Sequence, residues 1–214
     1  MDQRARLANL ALIAALIAGA TYLAADDLPL PQAAQLAWKS SGVGLLALYA
    51  GLSARSLDGW LIAAVMALGA MGDVLLNLLG LTAGGAVFFA GHLVAIGLYL
   101  RNRRVTLSRH DVLSAGLLVP LVAIAAFRLT GRNSGVAVYA AALGAMAASA
   151  QLSRFPRSWV GLGALLFMAS DLLLFARAGL LAHAAWSGPA VWSLYFAGQA
   201  LICVGVVRTL RPAP

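Results

Sequence analysis

An all-α, polytopic membrane bundle is the fold this sequence predicts, on three observations. Hydrophobic residues make up 62% of the chain and charged residues 10%, against about a quarter charged in soluble domains. Apolar stretches of the roughly 17 to 25 residues that a helix needs to cross a bilayer recur almost end to end. These stretches lack the two-residue alternation of a transmembrane strand, and every backbone group in lipid must be paired, so helices follow rather than a barrel.

Eight spans are expected, at residues 7–25, 33–51, 57–79, 84–101, 111–128, 134–152, 158–178 and 189–208. The first follows Arg4 and Arg6, and Ala18-Gly19-Ala20 resembles a cleavage site, but the apolar run is longer than a signal-peptide core and further spans follow, so it reads as a retained helix. Asp26-Asp27-Leu28-Pro29-Leu30-Pro31 combines charge with two prolines and separates the first two spans. The polar run from Arg101 to Asp111 separates the fourth and fifth, and Ser187-Gly188-Pro189 is a turn entering the last helix. Every connection is short, so residues 1–214 read as a single membrane domain without a second, soluble one.

Orientation follows the bias of Lys and Arg toward the cytoplasmic side. With the N-terminus inside, Arg4, Arg6, Arg55, Arg101, Arg103, Arg104, Arg109, Arg154, Arg157, Arg208 and Arg211 fall inside and only Arg128, Arg132 and Arg177 outside. Both termini are therefore expected in the cytoplasm. The net charge of +8 sits in these connections rather than in a polar domain with interleaved aromatics, so it sets orientation and does not point to nucleic acid. Cys203 is the only cysteine, which rules out an intrachain disulfide and gives a thiolate site little support.

All seven acidic residues are aspartates, and two of them, Asp73 and Asp171, lie deep in apolar segments. A carboxylate there costs a few kcal/mol or more unless it faces a bundle interior or a watery cavity. The two occur in related settings, Gly72-Asp73-Val74-Leu75-Leu76 in the third span and Ser170-Asp171-Leu172-Leu173-Leu174 in the seventh. Phe89-Ala90-Gly91-His92 in the fourth span is matched by Phe196-Ala197-Gly198-Gln199 in the eighth. This recurrence suggests a 4+4 duplication with repeats 1–105 and 106–214, parallel because an even number of spans returns the chain to its starting side.

At about 1.5 Å per residue, Lys39, Asp73 and Asp171 each lie some 10 Å below the outer ends of their spans. Tyr139, Tyr195 and Gln199 fall in outer halves as well, with His92 near the middle. Asp73 and Asn77, and likewise Tyr195 and Gln199, are four apart and share a helix face. The expectation is one polar pocket open to the outer leaflet, in which one of Asp73 and Asp171 is the acid and the other the base, with the other polar residues supporting them. A structural alternative has Lys39 merely neutralising one aspartate and His92 bonding a neighbouring backbone. Small residues Gly69, Gly72, Gly161 and Gly163 allow close helix contact without specifying an oligomer.

Two carboxylates in one apolar cavity should not titrate alike, which supplies a candidate acid and a candidate base. The sequence has no nucleophile elbow, no His-Glu-x-x-His site and no phosphate loop. A serine hydrolase using Ser40, Ser41 or Ser170 is one rival reading. A transporter or flippase for a lysolipid or small polar solute is another, since parallel repeats around a charged pocket suit alternating access. A purely structural or protein-binding role is a third.

Taken together, Lys39 after an apolar aromatic run, Gly72-Asp73-Val74-Leu75-Leu76, Gly91-His92, Ser170-Asp171-Leu172-Leu173-Leu174 and Tyr195-Phe196-Ala197-Gly198-Gln199 resemble the YhhN-like membrane family, which includes mammalian lysoplasmalogenases. The resemblance covers nearly the whole chain. It implies a multi-pass enzyme, here of a bacterial inner membrane, that hydrolyses the vinyl ether bond of lysoplasmalogens to a fatty aldehyde and glycerophosphoethanolamine or glycerophosphocholine. It implies a lysophospholipid or ether-lipid substrate and no organic cofactor, and no metal-ligating residues are singled out. It also places Asp73 and Asp171 at the family's acidic positions and Lys39, His92, Tyr195 and Gln199 at its other intramembrane polar positions. Phe175-Ala176-Arg177 departs from family versions with a more polar exit from the seventh span.

Overall fold

The computed structural model describes residues 3–211. Among them are eight α-helices: α1 (Gln3–Thr21), α2 (Gln32–Ser53), α3 (Leu57–Leu79), α4 (Leu81–Arg101), α5 (Arg109–Leu129), α6 (Ser134–Leu152), α7 (Leu162–Arg177) and α8 (Ser187–Leu210). A 3-10 turn, Tyr22–Asp27, extends α1, and a π turn, Arg157–Gly161, leads into α7. Seven of the helices are long and apolar enough to cross a membrane. The other, α2, has the length at 22 residues but is made more polar by Lys39, Ser40 and Ser41. The chain is thus an all-α, multi-pass membrane protein.

Local chemistry sets the helix boundaries. The Ser56 hydroxyl accepts from the Gly59 amide and starts α3, and Asn133 does the same for Val136 at the start of α6. Ser108 and Asp111 form a reciprocal capping box on α5, satisfying amide donors that a helix start leaves without partners. Gly80, at φ 86°, ends α3 in a conformation that costs a side-chain-bearing residue. It alone separates α3 from α4.

The helices form two compact units, residues 3–94 with 203–211, and residues 95–202, so that α4 and α8 each contribute to both. In the first unit α1 packs on α2 and α2 on α3. The buried stripe of α1 is Ala8, Ala11, Ala15 and Gly19, whereas Leu7, Leu10, Ile13 and Ile17 point outward. Small residues at the contact and large apolar ones outside are what lipid favours, since lipid offers no hydrophobic drive to bury leucine. The Trp38 indole donates to the Ala18 carbonyl at 3.2 Å, and the Arg4 guanidinium donates to the carbonyls of Gly51 and Ala54 at the end of α2. The core is filled by Val43, Leu46, Tyr49, Ile62 and Met66.

In the second unit α5, α6 and α7 pack on one another. A Cβ at Gly144 would lie 2.9 Å from the Leu118 carbonyl oxygen, so glycine allows α6 to touch the backbone of α5. The same device joins α7 to α8, where a Cβ on either Gly163 or Gly198 would lie 2.7 Å from the other's carbonyl oxygen. At the far end of this unit, Arg103 and Ser153 form an isolated antiparallel bridge. The Arg154 guanidinium donates to Asn102 Oδ1 at 2.7 Å. The Gln151 amide donates to the Gly161 carbonyl at 2.9 Å, satisfying an acceptor in the π turn.

Candidate functional site

Asp73 and Asp171 are both buried, at 3% and 7% exposure, and each is held by a partner within its own unit. On the first, the Lys39 ammonium of α2 lies 4.0 Å from Asp73 Oδ1. The Asn77 amide, one turn further along α3, donates at 2.8 Å to the backbone carbonyl of Asp73 rather than to its carboxylate. Asn77 itself is exposed. A shared helix face therefore did not translate into a carboxylate contact: the side chain folds back on its own helix, as short polar side chains do.

Close approach of α3 and α4 sets the position of His92. A Cβ on Gly84 would fall 2.6 Å from Leu76 Cα, and one on Gly72 would fall 2.8 Å from the Phe88 ring. Phe88 thus covers the residue next to Asp73. The antiparallel register continues to Gly91, opposite Leu68. That places His92, one turn beyond Phe88 and 4% exposed, about 7 Å along the helix axis from the level of Asp73.

On the second unit, the Tyr139 phenol of α6 donates to Asp171 Oδ2 at 2.6 Å. Phe175, one turn after Asp171, holds the Tyr139 ring edge-on at 5.9 Å, and Phe167, one turn before it, packs against Tyr195 of α8 at 5.3 Å. Trp192 stacks on Phe196 and leans on Tyr195. Asp171 is therefore flanked along its own helix by aromatic rings. The Ser170 hydroxyl donates to the Val191 carbonyl at 2.9 Å, binding α7 to α8.

That bond and the Gly163–Gly198 contact fix the register of α7 against α8. Tyr195 sits about 7 Å and Gln199 about 13 Å along the axis from Asp171, on the side away from the α7–α8 connection. Gln199 is buried at 3% but lies more than two turns deeper than Asp171, so the single polar layer expected from counting residues does not hold for it. That Phe167, Phe175 and Trp192 build an aromatic frame here is not legible in the sequence, because aromatic residues at helical spacing read equally well as core. Ser40, next to Lys39, has a buried hydroxyl without a hydrogen-bond partner. Among the described residues no group of three His, Cys or Asp side chains is placed to hold a metal ion.

Ionisable groups held inside apolar helices define a multi-pass membrane protein with built polar sites, as distinct from a simple anchor. The chain belongs to the YhhN family, which it matches over residues 34–206. It is 34% identical to proteins named lysoplasmalogenase from Mycobacterium bovis (strain ATCC BAA-935 / AF2122/97) and Mycobacterium tuberculosis (strain CDC 1551 / Oshkosh), over 68% of this chain and 59% of each relative. The match thus spans about three fifths of those relatives' length. No solved structure matches the chain significantly.

Proposed function

We propose that this protein is a lysoplasmalogenase-like hydrolase that cleaves the vinyl ether bond of a lysoplasmalogen to a fatty aldehyde and a glycerophospho-headgroup alcohol. The observation that carries the reading is the pair of buried aspartates, each with its own polar partner, in a chain of the YhhN family whose curated relatives bear the name lysoplasmalogenase. A vinyl ether resists bases but accepts a proton on its β carbon, giving an oxocarbenium-like cation that water captures.

Asp171 takes the role of acid. Its Oδ2 accepts from Tyr139, which leaves Oδ1 to carry the transferable proton. Asp73 takes the role of carboxylate, its negative charge complemented by Lys39 and suited to stabilise the developing cation and to accept a proton from the attacking water. The proton from Asp171 goes to the β carbon, the water oxygen bonds to the α carbon, and the water's proton goes to Asp73. The resulting hemiacetal collapses to aldehyde and alcohol, with one water consumed and both carboxyl groups returned by proton exchange.

His92, Tyr195 and Gln199 serve as supporting polar groups along the lipid's path, and Lys39 also supports Asp73. The test is aldehyde release from a purified lysoplasmalogen by the folded protein in detergent, with D73N and D171N assayed separately. Each substitution is expected to lower turnover by about two orders of magnitude or more, the usual contribution of a general acid or base. Near-normal turnover in both variants would sink the two-carboxylate chemistry. Solute counterflow in proteoliposomes without any aldehyde would instead establish transport.

A further inference from the structure

The second unit carries three arginines at the end where α5 and α7 terminate. Arg128 lies in the last turn of α5, Arg132 in the connection to α6, and Arg177 at the end of α7. All three are exposed. The ends of α5 and α7 are adjacent, since a Cβ on Gly179 would lie 4.0 Å from the Leu129 carbonyl oxygen. The contact of Gly144 with Leu118 sets α5 against α6, and the Tyr139–Asp171 bond sets α6 against α7, which puts Arg128, Ser134 and Arg177 at about one level.

Residues 95–202 contain two carboxylates, Asp111 and Asp171. Asp111 is at the opposite end, engaged by Arg104 and Arg157, and Asp171 lies about 9 Å along α7 from Arg177. The three arginines therefore have no acidic partner from their own unit at their own level. Arg132 adopts φ 71°, a conformation uncommon for any residue but glycine. Gly131, just before it, already supplies the left-handed turn. The Arg177 guanidinium reaches over Gly188, where a Cβ would lie 3.5 Å from its nitrogens, and so leans toward the start of α8, one turn from Trp192.

The geometry points to these three arginines as the subsite for the phosphate of a lysophospholipid whose ether end reaches Asp171. Five bonds of about 1.5 Å each separate the ether oxygen from the phosphorus, a span on the order of 6 Å. That span and the reach of an arginine side chain cover the separation between Asp171 and the arginine level. Guanidinium groups match phosphate oxygens with paired N–H donors. The aromatic rings flanking Asp171 supply an apolar wall for the chain beyond the ether. The inference rests on the lysophospholipid reading above and names the part of the substrate that this end of the unit holds.

The test measures binding, so that it stands apart from turnover. The intact protein in neutral detergent is titrated with a saturated 1-O-alkyl-glycero-3-phosphocholine, which has no vinyl ether to cleave, and with the matching 1-O-alkylglycerol, which has no phosphate. The phosphate-bearing lipid is expected to bind about tenfold or more tightly, and R128Q/R132Q/R177Q to bring that ratio close to one while leaving alkylglycerol affinity in place. R109Q/R154Q, at the opposite end, should leave the ratio as it is. A ratio unchanged in the triple variant, a ratio lost in R109Q/R154Q, or no preference in the unaltered protein would each overturn the subsite. Displacement of the lipid by millimolar inorganic phosphate would mark a free-anion site and overturn the headgroup assignment. Arginine-dependent preference without aldehyde release would retain the subsite and remove the proposed chemistry.

Discussion

Tyr139 donates its phenolic proton to Oδ2 of Asp171 across 2.6 Å, and the ring that carries it is braced by Phe175 from the same helix as the carboxyl. Y139F keeps the ring and its packing and removes only the donor. As Asp171 gives up its proton it gains negative charge, and a hydrogen bond to a charged group contributes roughly 1.5 to 3 kcal/mol, so kcat/KM should fall to between about a tenth and a hundredth of its starting value. The pH profile of aldehyde release should move with it. Full activity and an unmoved profile would show that Asp171 does not rely on Tyr139.

Lys39 and Asp73 make a looser pair, 4.0 Å apart with 19% of the lysine side chain still exposed. Breaking a fully buried pair costs about 3 to 5 kcal/mol, because one charge is stranded. Partial exposure screens this one, and K39M is expected to lower stability by about 1 to 2 kcal/mol. K39M/D73N should lose less than the sum of the single variants, since no charge is then left behind. Thermal unfolding in one detergent, arranged as a double-mutant cycle, measures the coupling. Strict additivity would mean that the ammonium does not compensate the carboxylate.

Much of this architecture is legible in the sequence because its boundaries have local causes. The expected limits 57–79 and 134–152 coincide with α3 and α6, where Ser56 and Asn133 cap the starts. The π turn before α7 is not legible, since its carbonyl is satisfied by Gln151 from another helix. Nor is the depth of Gln199. Residue counting takes helix ends as level, whereas the Gly163–Gly198 crossing slides α8 along α7. The burial and spacing of Asp73 and Asp171 could be read directly, but their distinct partners, an ammonium and a phenol, depend on helix pairings that no local pattern encodes.

The glycine crossings predict a sharp contrast among conservative substitutions. G163A and G198A would each press a methyl group to 2.7 Å from a backbone carbonyl oxygen, a neighbour that moves only with its helix. Overpacking of this kind costs about 1 to 3 kcal/mol or more. G97A meets nothing within 4 Å and should be neutral or stabilising by about 0.4 to 1 kcal/mol, through the lower entropy of the unfolded chain. Melting temperatures of the three variants in detergent decide the matter, and equal effects at all three positions would refute close α7–α8 packing.

At the opposite end of the second unit, burial rather than charge should decide which polar group matters. Asn102 is 5% exposed, its amide donates to the Leu98 carbonyl at 3.0 Å, and its Oδ1 accepts from Arg154. N102A strands these groups out of water and is expected to cost about 1 to 3 kcal/mol. Asp111 holds Arg157, whose side chain is 48% exposed, so water can replace much of what D111N removes, and an asparagine at that position still accepts from the Ser108 amide. The larger drop in unfolding temperature should therefore belong to N102A although D111N removes a charge. The reverse order would show that the ion pairs, not the buried amide, hold the α4–α5 and α6–α7 connections together.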